Sequence, residues 1–512
     1  RSTPSNSSAA SDVYKRQGLF SILLIVSVVS TWSFTYYVSP DGSDAADGSF
    51  ATPWATLNKA VSTLTAGDTV KVLKGVYREK VTLNNIKGSQ EQPIVFWTKP
   101  KERAVVSGTQ IVTGWQQCTQ SDCPNNPNYE NIYWTDISWY PPQLYQNQIE
   151  LKLASEPNEG WWQIDSVASE YEIVDPVNLF GSDDFWVGAD IHYWRSNGHN
   201  IYPQIVDYDS INHKLTLDPY WIDKKNDPME KGALYRIINH LAIIDQPGEY
   251  CVDSTIAAGV YRIYLWPKDN KDPNQCLIEA AVRGPLFELR FSEYIRLYGF
   301  EIRNSTGYGI AGLKGEKNIT ISNCYIHHNE SAGIYFTENN GITENILIKN
   351  CVLCYNADGI ITIGVDSVTT TNCHIFRNRR DGIKYTSSSQ MVIKDSYIHH
   401  HIWTGHPDGA QFTNVTNFVI ENCAILLSGQ TLMSSGCSNG LVKNNLAIGA
   451  GARAWIADDD AASWNYINNT VGLCTYACFT ASSPPCSIKN NIMYSSSSNG
   501  IIGSNYFRNF IF

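Results

Sequence analysis

Three aspartates stand immediately before glycines, Asp358 in "NADGIITI", Asp381 in "RRDGIKY" and Asp408 in "HPDGAQF", 23 and 27 residues apart. Arg379, Arg380, Lys384 and Tyr385 accompany the second acid, and Trp403, His406 and Gln411 accompany the third. If that spacing is one turn of a stacked coil, neighbouring carboxylates lie about 4.8 Å apart. Like charges that close must be offset by cations, by a metal or by a retained proton. Two chemistries suit such a column. In glycoside hydrolysis one carboxylic acid protonates the leaving oxygen while another attacks or activates water; a gap of about 5 Å, as between adjacent rungs, favours retention, and one of roughly 6.5–9.5 Å, closer to Asp358 with Asp408, favours inversion. In β-elimination on a uronate, a base such as Lys384 or His406 removes a proton while a cation such as Arg380 neutralises the carboxylate. Arg379, Arg380, Tyr385, Trp403 and Gln411 would hold substrate. The competing reading is a repeated Asp-Gly turn, since both residues suit tight turns. Tyr308 and Ala332 occupy the same position in earlier units, so the turn itself does not require an acid.

The coil that must carry these residues is visible as a repeat. Aligning "NITISNCYIHHNESAGIYF", "NILIKNCVLCYNADGIITI", "SVTTTNCHIFRNRRDGIKY", "QMVIKDSYIHHHIWTGHPDGAQF" and "NFVIENCAILLSGQ" places Asn323, Asn350, Asn372, Asp395 and Asn422 in register. Each unit has four- or five-residue apolar alternations cut by Asn and Gly, too short for a helical repeat. Short strands stacked coil on coil bury the alternate Ile, Val and Cys and pair every backbone group with a neighbour. The fold class that follows is all-β, a right-handed parallel β-helix, with amide side chains bonding one coil to the next. Cys324, Cys351, Cys373 and Cys423 recur at one place and are expected as stacked, buried thiols. In "HHHIWTGHPDGAQF", strand alternation lets at most His399 and His401 share a ligand, and "IWTGHP" is expected to bulge from the coil.

With 512 residues, 43% hydrophobic and 17% charged, the chain can bury a large core. Its net charge of −11 and lack of a basic run exclude a nucleic-acid partner. Residues 1–17 read as adapter-derived sequence, Met229 is the first Met, and the C-terminal coils are expected to be truncated. Residues 18–33 contain "GLFSILLIVSVVS" after Lys15 and Arg16, a signal peptide too short to span a bilayer. The mature protein is therefore expected outside the cell, free of membrane and monomeric, with pairs available in Cys118 with Cys123, Cys251 with Cys276, and two of Cys474, Cys478 and Cys486. Sequons at Asn304, Asn318, Asn329, Asn414 and Asn468 fit that compartment. Residues 34–110 form a cap and first coils, 111–284 a β-rich insertion dense in Trp and Tyr, as in "EGWWQIDS" and "DIHYWRSNGHNIYPQ", and 285–512 the main stack. Exposed aromatics of the insertion could serve as sugar platforms along a groove.

The stretch "YYVSPDGSDAADGSFATPWATLNKAVSTLTAGDTVKVLKGVYREKVTL" resembles the opening of many members of the pectate-lyase-like β-helix superfamily, whose members act on carbohydrates. The resemblance implies that a helix over 53–64 caps the solenoid. "DQPGEYCVDSTIAAGVYRIYLWPKDNKDP" is similar to a segment of β-helix glycosidases. Asp358 and Asp381 match acidic positions that hold Ca²⁺ in calcium-dependent pectate lyases. Arg380 and Lys384 depart from that pattern, and two cations oppose a calcium site. No cofactor is therefore expected. The resulting expectation is a glycoside hydrolase acting on an acidic plant or algal polysaccharide through the Asp column. A polyuronate lyase or C5-epimerase, and a non-catalytic glycan-binding β-helix, are the alternatives.

Overall fold

The computed structural model describes residues 33–512 except 100–101, 195–199, 223–227, 340, 402–406, 452, 458–463, 476, 482–485, 497–498, 503–509 and 512. Three long sheets of parallel strands run along one solenoid. A coil visits the first sheet (for example Asp366–Thr371), the second (His374–Phe376) and the third (Ile383–Thr386) before climbing to the next coil. Registry is strict: Ile346 lies on Val368, Val368 on Met391, and Met391 on Phe418. These alternate residues face inward and are buried, so a segment too small to hold a core alone completes one by stacking.

The asparagine column marks corners between the first and second sheets. Asn323, Asn350, Asn372, Asp395 and Asn422 all have φ between 51° and 56°, the left-handed region that Asn and Asp tolerate best among residues with a side chain. Their amides bond partly as expected: Asn422 donates to Asp395 Oδ1 at 3.0 Å. One residue inward, Cys324, Cys351, Cys373 and Cys423 stack as buried thiols, and each donates to the carbonyl two residues earlier.

The capping helix is confined to Leu57–Val61, with the Thr56 hydroxyl accepting the Lys59 N–H and Leu57, Ala60 and Val61 buried. The insertion is spliced between two directly stacked coils. Val81–Asn84 pairs with Phe287–Arg290, and Val105 lies on Glu301, so the chain leaves the stack after Ser107 and rejoins it before Phe287. Inside it, small, mainly antiparallel sheets enclose two cores of their own. Cys118, Cys123 and Cys251 share one of these cores, whereas Cys276 packs against the other, and all four are thiols. Cys474 is buried; the side chains of Cys478 and Cys486 lie outside the described residues. Asn304 and Asn329 are buried, which removes two sequons from reach, while Asn414 and Asn468 are exposed.

Candidate active site

The acids occupy the corner that leads into the third sheet. Asp358 Oδ1 accepts the Asp381 N–H at 3.1 Å, and Asp381 Oδ1 accepts the Asp408 N–H at 2.8 Å. One oxygen of each thus serves the corner of the next coil. The other oxygen meets a cation: Asp358 Oδ2 lies 2.6 Å from Arg380 Nη2, and Asp381 Oδ2 lies 3.8 Å from Lys384 Nζ. Burial pushes the Asp381 carboxyl up to about 6, and the Asp358 charge adds to the rise. The Asp408 N–H, Lys384 and Arg380 oppose it. Asp408 is wholly buried one coil further along. The charge needed to neutralise Asp358 and Asp381 therefore comes from arginine and lysine. With their remaining oxygens on cations, these two residues do not fit a calcium site.

A second corner, between the second and third sheets, carries a ladder that the repeat alignment does not single out. Asn329 N–H donates to Asn356 Oδ1 at 3.1 Å and Asn356 N–H to Asn378 Oδ1 at 3.0 Å. The side-chain amides add bonds of 2.8 and 3.2 Å along the same column. Just before each rung the backbone is left-handed, at His328, Tyr355, Arg377 and His400, with φ of 52° to 58°. These four side chains point away from the solenoid, toward the insertion.

Solenoid and insertion enclose a cleft there. Its larger cavity, about 730 Å³, has Ala357, Arg379 and Arg380 of the solenoid on one wall and His192, Tyr202 and Arg236 of the insertion among the facing groups. Ala357 and Arg380 immediately precede Asp358 and Asp381, and Arg380 of that wall is the ion-pair partner of Asp358, whereas neither carboxylate lines the cavity itself. A smaller cavity of about 410 Å³ lies between Gln143 and Glu150 of the insertion and the four left-handed residues. Gln143, Glu150, Glu330 and Arg379 border both cavities. Arg379 Nη2 sits 3.1 Å from Glu330 Oε1 and also donates to the Glu330 carbonyl. Glu150 lies 3.7 Å from His328 Nε2, and burial raises its carboxyl above the usual carboxylate range against the pull of Arg379 and Gln143.

The expected site residues separate into groups. Arg379 and Arg380 reach the cleft, and Asp358 and Asp381 are buried and line neither cavity. Lys384 and Gln411 are register partners on the outer face of the third sheet, as alternation requires. Tyr385, expected to hold substrate, points the other way. It is fully buried and bonded to the Thr370 hydroxyl at 2.9 Å, because inward Ile383 and outward Lys384 leave the next position inward. Trp403 and His406 lie outside the described residues. In the histidine run, left-handed His400 breaks strand alternation. His399 stays on the outer face against His400, at 2.5 Å between Nδ1 atoms, and His401 turns into the interior, so His399 and His401 share no ligand position. The polar column preceding the three buried amides and His401 ("HHN", "CYN", "FRN", "HHH") is the sequence signal that could have located the smaller cavity. Glu150 and Gln143 carry no such signal.

Two family models of right-handed β-helix regions match the chain: the Pel9A-like region over residues 36–138, and the general right-handed β-helix region over 282–399 and 342–512. The chain is 36% identical over 75 residues to the Bacillus subtilis (strain 168) protein YwoF, a match spanning 15% of this chain and 16% of that protein. Among solved structures it is similar to a glycoside hydrolase with TM-score 0.65 and 13% identity, over 92% of this chain and 95% of that one. It is also similar to XylC in complex with xylose, with TM-score 0.52 and 17% identity, over 93% and 76% of the two chains. At these identities the likeness is one of fold.

Proposed function

For a chain that is a pectate-lyase-like right-handed parallel β-helix, we propose the function of a secreted, cofactor-independent glycoside hydrolase that binds a polysaccharide in the cleft between solenoid and insertion. The observation that carries this reading is the unequal pair joined to the cleft wall through Arg380: Asp358 in an ion pair with Arg380, and, one coil away, Asp381 raised to about 6. A carboxylate held on a guanidinium beside one that keeps its proton up to about pH 6 is the division of labour that glycoside hydrolysis needs.

In this reading the Asp381 proton passes to the glycosidic oxygen as the bond to the anomeric carbon breaks. The Asp358 carboxylate attacks that carbon, forming a glycosyl ester. Asp381, now ionised, takes a proton from water, whose oxygen displaces Asp358 and returns the sugar with retained configuration. One-coil spacing, about 4.8 Å, suits this course better than the wider gap of inverting enzymes. Arg380 has a side chain 60% exposed and can touch substrate while compensating Asp358. Likeness in fold to a glycoside hydrolase, and to XylC, which binds xylose, is consistent with a carbohydrate substrate.

The test is incubation with pectin, alginate, xylan and fucose-rich glycans, following reducing ends and ultraviolet absorbance together, with and without chelator. New reducing ends without absorbance, unaffected by chelator, are expected. Unsaturated product absorbing in the ultraviolet would transfer the reaction to a lyase with a Lys384 base and overturn this reading.

A further inference from the structure

The left-handed corner that holds His328, Tyr355, Arg377 and His400 continues along the solenoid with Leu427, Gly449 and Leu473, at φ of 47°, 77° and 54°. The corner therefore accepts leucine or glycine. One coil before His328 the corner holds Asn304 at φ 61°, beyond the insertion it holds these apolar residues, and the four coils between carry imidazole, phenol and guanidinium instead. A bulky side chain at positive φ costs free energy wherever it occurs, so folding alone does not select these four types. What the four share is the cavity of about 410 Å³, within the size range of small-molecule sites.

The chemistry of its wall is specific. Tyr355 is 39% exposed and stacks on His328 at 5.0 Å between centroids, leaving part of its ring toward the cavity. Arg377 donates to the Tyr355 hydroxyl at 2.9 Å, which fixes both side chains. Burial and the neighbouring His327, Arg303 and Arg379 lower His328 to about 4, so its ring is neutral at pH 7. Gln143 and the guanidinium groups offer donors, and Glu150 and Glu330 offer acceptors. Two arginines face two glutamates, so the wall has no net charge to attract an anion or a cation. An aromatic face ringed by paired donors and acceptors matches a neutral sugar ring, whose hydroxyls both donate and accept and whose C–H face packs on an aromatic.

We infer that the cavity at Tyr355, Arg377 and Glu150 is a second glycosyl-binding subsite, taking a neutral sugar residue of the same chain whose bond is broken at Asp358 and Asp381. The Glu330–Arg379 pair stands between this subsite and the larger cavity and is the ridge that a bound glycan crosses. The inference rests on the cleft being the glycan groove proposed above, and it goes beyond that reading in naming the subsite and in choosing a neutral sugar for it.

The test uses the full chain with Asp381→Asn, which binds without turning substrate over, titrated calorimetrically with xylotetraose, galactotetraose and mannotetraose, and with trigalacturonate as the anionic comparison. At least one neutral tetrasaccharide is expected to bind at least tenfold more tightly than trigalacturonate. Adding Tyr355→Leu or Arg377→Leu, which copy Leu427 and Leu473 at the same corner, is expected to weaken that binding at least tenfold while leaving the thermal midpoint within a few degrees. Binding unchanged by both leucine variants, stronger binding of trigalacturonate, or no binding of any neutral tetrasaccharide would overturn the subsite. Turnover by the parent enzyme reports separately on the proposed hydrolysis: tight neutral-glycan binding with no hydrolysis would sink that reaction and leave the subsite standing.

Discussion

Two ladders hold neighbouring corners of the same coils, and they do so with different chemistry. In the amide ladder, Asn356 accepts the Asn329 N–H and also donates to Asn378 Oδ1 and to the Ile326 carbonyl, so one neutral side chain satisfies both neighbours. In the acid column, Asp381 does the first job by accepting the Asp408 N–H, but an ionised carboxylate has nothing to donate. Its charge is buried, raises its own proton affinity and calls for Lys384 nearby. An amide at 358 or 381 would close the corner without that cost. Carboxylates kept where amides would fold better are more readily explained by reaction than by architecture.

Exchanging the two chemistries tests that contrast most directly. Asp381→Asn keeps the acceptor for Asp408 and removes the proton donor, and the predicted loss of glycan turnover is roughly 10²–10⁴-fold. In the parent enzyme the alkaline limb of kcat/KM should titrate near 6, where Asp381 loses its proton. A profile flat from pH 5 to 8 would remove Asp381 as the acid. The reverse exchange, Asn356→Asp, puts a carboxylate into the buried ladder with no cation and two donors lost. Denaturant unfolding at pH 7 should show a loss of about 3 kcal/mol or more.

The same Asp381→Asn variant should gain stability, with a defined pH dependence. Because burial raises Asp381 from 3.8 to about 6, its contribution to stability is fully present below pH 3.8 and is lost as pH rises through 6. The variant should match the parent near pH 4 and exceed it by on the order of 1–3 kcal/mol at pH 7.5. Equal stability at both pH values would mean that Asp381 is not strained by its charge. The smallest effect belongs to the exposed corner between the first and second sheets. Asn422→Gly should stay within about 0.5 kcal/mol, since glycine takes the left-handed conformation freely and the lost bond to Asp395 lies in solvent.

Much of the solenoid is legible in the chain itself. Asn323, Asn350 and Asn372 announce the corners because few other residues with a side chain tolerate positive φ, and Cys324, Cys351 and Cys373 announce the interior because they recur beside those corners. The acid column is legible for the same reason, as a departure from a repeat that has Tyr308 and Ala332 in its place. Tyr385 is misplaced when nearness to Asp381 in the chain is weighed above strand alternation. His399 and His401 are misplaced when alternation is applied across a corner where His400 interrupts it.

The coil, its corners, its stacked interior and the candidate acids all follow from residue type at a repeating interval, and so belong to the sequence alone. Where the cleft lies and what faces what were settled by tertiary packing. Glu150 and Gln143 meet His328, Tyr355 and Arg377 across more than 170 residues of chain, because the insertion leaves the stack after Ser107, folds around its own cores and returns against the coils that follow. No repeat links those positions. Their proximity is a property of how two packed bodies of chain dock, and the burial that raises the Asp381 carboxyl from 3.8 toward 6 is a property of how the coils stack.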